Sequence, residues 1–155
     1  MAQGSVLVPY ALALVVADGL HLEHGSGKIT ILGTFATVGS TKFPCVHPQI
    51  GVYMALTNGR GKSKVNLKLC DVDEEKPPLF THTIDIDIPS PLAVIELCAQ
   101  IVGVKFDLPG DYRLQLFVND IFLMERRIVV LNLNEAPPDE YGNNAGNSNP
   151  NASTD

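Results

Sequence analysis

The stretch Lys62-Ser63-Lys64-Val65-Asn66-Leu67-Lys68-Leu69-Cys70 decides the fold. Val65, Leu67 and Leu69 alternate with Lys64, Asn66 and Lys68, and a period of two marks a strand with one dry face and one wet face. The next apolar segment, Leu79 to Ile88, repeats the pattern. There Phe80, His82, Ile84, Ile86 and Ile88 stand against Thr81, Thr83, Asp85 and Asp87. Between the two, Asp71 to Pro78 is turn chemistry.

Toward the N-terminus, Asn58-Gly59 is the commonest two-residue hairpin signal, with Gly61 close behind. It predicts a hairpin from a strand over Ile50 to Thr57, in which Ile50, Val52, Met54 and Leu56 share a face. Phe43-Pro44 and His47-Pro48 hold the residue before each proline extended, so this segment reads as a connection. Ile29 to Thr37 reads as another strand, with Ile29, Ile31, Gly33 and Phe35 on one side. Gly33 inside it suggests a bulge or a close backbone approach. Glu23 to Lys28 is a turn, since Gly25 and Gly27 permit positive φ. Tyr10 to Asp18 is apolar on both faces, as expected of a strand at the heart of a sheet.

Toward the C-terminus, Ser90-Pro91 predicts a helical turn through about Leu97, followed by a strand over Ile101 to Phe106. Pro109-Gly110 makes a turn into Tyr112 to Val118, where Tyr112, Leu114, Leu116 and Val118 point inward. Asn119-Asp120 turns the chain into Ile121 to Leu133. The result is an all-β chain of about eight strands, read as a single antiparallel β-sandwich over residues 1–134. Period alone does not separate a sandwich from a barrel. Residues 135–155 (EAPPDEYGNNAGNSNPNASTD) have too little apolar content for a core and read as a disordered, acidic, Asn/Pro-rich tail.

The 155 residues suffice for one domain. With 11 Lys+Arg against 17 Asp+Glu the net charge is −6, which argues against nucleic acid as a partner. Three widely spaced cysteines, Cys45, Cys70 and Cys98, form neither a disulfide framework nor a CxxC site and suit a reducing cytoplasm. Val6 to Ala17 is apolar, but Pro9 interrupts it and the first basic residue is Lys28. It therefore reads as neither a secretory leader nor a membrane span.

Candidate sites are few. Asp71, Asp73, Glu74 and Glu75 crowd one loop, and calcium requires several hard oxygens converging. Asp18, Asp107 and Asp111 fall in other turns and are available to join them. The EF-hand pattern is missing, because Glu75 and Lys76 stand where Asp or Asn and then Gly are required. Arg60, Lys62, Lys64 and Lys68 form a basic stripe. It suits an anionic lipid head, a nucleotide or an acidic protein, or else keeps an edge strand from pairing. His21 with His24, and Cys45 with His47, lack the paired spacing of zinc sites, while His82 lies on the apolar parity of its strand. No GxSxG, P-loop or GxGxxG occurs, and Gly59-Arg60-Gly61-Lys62 is too short to cradle phosphate.

Three stretches taken together carry a resemblance. An acidic residue closes Val16-Ala17-Asp18, Gly27-Lys28 turns into Ile31-Leu32-Gly33-Thr34-Phe35, Phe43-Pro44 comes next, and Leu108-Pro109-Gly110-Asp111-Tyr112 opens a late strand. This set resembles a family of small bacterial proteins that is a domain of unknown function. The likeness covers about residues 10 to 131, and the extra length between Ser90 and Phe106 departs from the pattern. It implies a C2-like or immunoglobulin-like β-sandwich and no catalytic residues. The sequence thus reads as a non-catalytic protein-binding or scaffold module without cofactor, partnered by another protein or by a second copy through a sheet edge. The alternatives are a C2-like module responsive to calcium or anionic lipid, and a small hydrolase with Cys45 or His47 in a deep pocket.

Overall fold

In a computed structural model that describes residues 5–135, Val65, Leu67 and Leu69 are wholly buried and sit at the centre of the core. Among the described residues nine strands form: β1 (Tyr10–Leu22), β2 (Ile29–Thr34), β3 (Thr37–Ser40), β4 (Cys45–Thr57), β5 (Gly61–Asp71), β6 (Phe80–Ile88), β7 (Ile95–Phe106), β8 (Gly110–Val118) and β9 (Ile121–Asn132). They make a four-stranded sheet, β2-β1-β4-β7, and a five-stranded sheet, β3-β9-β8-β5-β6. The two inner faces close on one another: Leu14, Val16, Ile50, Val52, Met54 and Leu56 meet Leu67, Leu114, Leu116, Ile128 and Val130. The chain is an all-β sandwich. No helix among the described residues is long and apolar enough to cross a membrane. The tail reading falls on residues 136–155, outside the described residues.

Several local expectations hold in detail. Tyr112, Leu114, Leu116 and Val118 all point inward, none more than 6% exposed. Tyr112 buries its ring against Phe106 and donates its hydroxyl proton to the Leu108 carbonyl at 2.6 Å. Asn119 and Asp120 both take positive φ, 50° and 65°, as a tight hairpin between β8 and β9 requires. Glu23 closes its turn by donating from N–H to the Lys28 carbonyl.

Other expectations are corrected. Asn58-Gly59 is not a hairpin, because β4 and β5 lie in different sheets. Asn58 has the expected positive φ of 60°, but Gly59 is wedged where a Cβ would stand 2.8 Å from both Pro9 and Ile88. Burial there turns the chain across the sandwich. The strand expected to run from Ile29 to Thr37 breaks at Phe35 and Ala36. Phe35 N–H donates to Val16 in one sheet, and the Ala36 carbonyl accepts from Val129 in the other. The chain then enters β3, which pairs with β9 in parallel, so the sandwich is not wholly antiparallel. No helical turn reaches Leu97; Ile95 to Leu97 extend β7, and Ile95 and Leu97 pack on the core. The Cys45 to Gln49 segment is strand rather than connection, paired with β7. The Phe43–Pro44 bond is cis. Gly33 has φ of 68° yet keeps register with β1, and the group that crowds it is the Asp18 side chain, not a backbone.

Candidate functional site

The acidic loop lies at the end of the sandwich where β5 and β8 meet. Glu74 accepts from Gln115 Nε2 at 3.1 Å, while Asp111 holds Arg127 through two contacts of 2.9 and 2.8 Å. Asp71 turns Oδ1 inward, buried and without a hydrogen-bond partner among the described residues, and Asp73 and Glu75 are exposed. Clefts of about 320 and 170 Å³ flank Asp71, bounded by Lys76, Leu108 and Tyr112. Among the described residues no three His, Cys, Asp or Glu side chains converge to hold a metal ion. Asp18 is elsewhere, 3.8 Å from His47 Nε2.

The basic stripe is likewise relocated. β5 is an inner strand between β8 and β6, so its lysines do not guard an edge. Lys62 and Lys64 stand opposite Asp87 and Asp85 of β6, which is the edge strand. A cleft of about 610 Å³ lies over these four residues, Ser63 and Asn119, with Asn119 tied to the Lys64 backbone at 2.9 Å. Carboxylates face the lysines across this cleft, so it presents mixed charge rather than the concentrated positive field that an anionic head group needs.

Cys45 and His47 occupy alternate positions of β4. His47 stacks on Phe35 with centroids 5.2 Å apart, and neither residue lines the clefts above. His21 pairs across to Thr30 on β2, His24 lies in the following turn, and His82 is exposed at the rim on β6. The cysteines are free thiols. Burial pushes the Cys70 thiol up, and partial burial together with the Glu96 carboxylate does the same for Cys98. A raised thiol is a poor nucleophile, since thiolate is the reacting form.

One surface was not legible in the sequence. Residues that alternate with the core rows of β1, β4 and β7 form the outer face of the four-stranded sheet. Register sets Ala13 beside Ala55 and Glu96, Val15 beside Tyr53 and Cys98, and Ala17 beside Gly51 and Gln100. Its rim adds Tyr10, Leu12, Val94 and Val102, each more than half exposed. Glu96 is the single charge in these rows, and Tyr53 donates its hydroxyl to Glu96 Oε1 at 2.6 Å. The outer face of the other sheet carries Lys62, Lys64, Lys68, Asp85, Asp87, Arg113 and Glu125. Sheet faces that meet water normally alternate polar side chains outward. The outer face of β1, β4 and β7 does not.

The Tyr53–Glu96 bond has a titration consequence. The hydrogen bond to Glu96, then burial, then the Glu96 charge push the Tyr53 phenol from 10.0 up to about 12. The folded state therefore prefers neutral tyrosine. Its stabilising contribution is complete below pH 10 and is lost as pH rises toward 12. Ring chemical shifts should show Tyr53 ionising late, and Glu96→Gln should bring it back toward its ordinary value. An unchanged midpoint would mean that the bond does not form.

The sequence model of a family of unknown function, DUF6941, matches residues 12–131. No curated protein matches the chain. Among solved structures, an immunoglobulin-like protein from Pseudomonas aeruginosa matches at 13% identity, over 84% of this chain and 100% of that one, with a TM-score of 0.37. That likeness is too low to decide the fold, which the strand pairings establish by themselves.

Proposed function

This chain belongs to DUF6941, a family of unknown function, and for it we propose the role of a non-catalytic binding module that meets another protein through the outer face of its four-stranded sheet. One observation carries the reading: the Val15–Tyr53–Cys98 row sets apolar side chains outward where the opposite sheet sets Lys, Arg and Asp, while Ala17 and Gly51 beside it are covered, Gly51 by the Leu20 side chain. Contiguous apolar surface of this kind marks interaction sites on soluble proteins. Tyr53 adds a rigid aromatic body with its polar end already engaged, a side chain favoured at interface centres. We place the module in the cytoplasm, where free Cys45, Cys70 and Cys98 stay reduced.

Photo-crosslinking in the native host tests this. A benzophenone side chain at Val15 should capture a partner polypeptide, whereas the same group at Thr83 on the charged sheet should not. Equal capture at both positions, or none at Val15, defeats the proposal.

A further inference from the structure

The strand edges of the sandwich are unequal. β3 is four residues long, and β2 is six with a left-handed glycine within it. β6 is bounded by Pro78 and Pro89 and carries Asp85 and Asp87, features that discourage an incoming strand. β7 has twelve residues, no proline, and pairs with β4 alone among the described residues. Its other side offers a row of unpaired backbone N–H and C=O groups. Val94 and Val102 beside that row are 58% and 76% exposed.

The side chains of β7 follow a pattern with one interruption. Ile95, Leu97, Ala99 and Ile101 face the core, but beyond Gly103 it is Val104 and Phe106 that do so. Gly103 has φ of 68°, and Pro48 stands opposite it in β4, so both strands change facing together and their register is kept. A straight strand laid on the free side has no such change. It must skip one residue at Gly103, which is the geometry of a glycine bulge. The strand holds two charges, Glu96 and Lys105.

We propose that β7 pairs antiparallel with β7 of a second copy, across a two-fold axis at Gln100, joining the two four-stranded sheets into one. Beside the axis, Ala99 meets Ile101 of the other copy and Cys98 meets Val102, inner against inner and outer against outer. The bulge at Gly103 then advances the register by one. Leu97 meets Val104, Ile95 meets Phe106, and Glu96 meets Lys105, each twice by symmetry. Sliding the pair by two residues sets Glu96 against Val102 or Lys105 against Cys98, so the charges select one register. Lys105 lies 3.6 Å from Asp107 at an exposed position, a contact worth little and readily exchanged. Pairing at the edge leaves the outer face open, so the inference goes beyond the binding reading above and stands or falls separately.

Sedimentation velocity on the full chain should give twice the 16.7 kDa chain mass. Glu96→Lys and Lys105→Glu should each weaken association about tenfold or more, and the two together should restore it. In a Cys98→Ser background, Gln100→Cys should form an intermolecular disulfide under oxidised glutathione, because residues paired at the axis lie about 4.5–5.5 Å apart. Thr83→Cys in the same background should not. A monomer up to about 1 mM, where even weak association registers, overturns the proposal. So does a dimer indifferent to both charge reversals, or one bridged Cys98 to Cys98 in the unaltered chain. A monomer that dimerises only when residues 136–155 are removed also overturns it, since the tail then occupies the edge.

Discussion

Leu67→Ala is expected to lower the stability of the domain by about 3 to 5 kcal/mol in urea unfolding, with the slope of the transition unchanged. Leu67 has no exposed surface and lies between His82 of β6 and Leu116 of β8. Its neighbours on both sides are held by strand pairing, so they cannot move in to fill the space its truncation leaves. That places the cost toward the upper part of the range seen for buried leucines, where residual cavity volume sets the loss. Lys68→Ala, one residue along the same strand but on the wet face, should change stability by no more than about 0.5 kcal/mol. Equal losses at the two positions would show that the alternation of Lys62 to Cys70 does not map onto one dry face and one wet face, and the two-layer core would go with it.

That alternation was legible because a half-buried strand writes its two environments into successive residues. β5, β6 and β8 bury Val65, Leu67, Leu69, Ile88, Leu114 and Leu116 as their alternation predicts, with exceptions at His82, which is exposed, and at Cys70 and Gln115, which are buried on the other parity. Pairing partners were less legible. Asn58 and Gly59 announce a change of direction, which a positive φ at Asn58 delivers, but turn chemistry says nothing about which sheet receives the next strand. That choice is made at long range, by Pro9 and Ile88 closing on Gly59. Ser90-Pro91 invites a helix start, yet Ile95, Leu97 and Ala99 bury on one side of β7, and packing outweighs a local preference of a few tenths of a kcal/mol per residue. The candidate sites divide the same way. Charged residues attract the eye in a sequence, yet among the described residues Asp71, Asp73, Glu74 and Glu75 do not bring three ligands to one point. Ala13 and Val15 fall in a stretch that reads as buried on both faces, because an apolar residue facing outward cannot be distinguished, by period alone, from one facing inward. Only the register across β1, β4 and β7 reveals a second apolar face.

Phe106→Ala is expected to cost about 3 to 5 kcal/mol, comparable to Leu67→Ala although Phe106 ends a strand at the sheet edge. The ring is fully buried and meets Tyr112 edge to face, with centroids 4.9 Å apart and planes at 74°. Tyr112 in turn is fixed by its hydroxyl bond to the Leu108 carbonyl, so the aromatic pair ties the end of β7 to the start of β8 across the turn between them. A double-mutant cycle with Tyr112→Leu should show coupling of about 0.5 to 1.5 kcal/mol beyond the separate losses, the range for such ring pairs. Hydrogen exchange in Phe106→Ala should rise first at Val104 to Phe106, because removing the anchor frays β7 from its end. The measurement also tests the change of facing at Gly103. If Phe106 faced outward, its truncation would cost under about 1 kcal/mol and Lys105 would point into the core. β7 would then keep one facing along its whole length, and the charge pairing that singles out one register with a second copy would be lost.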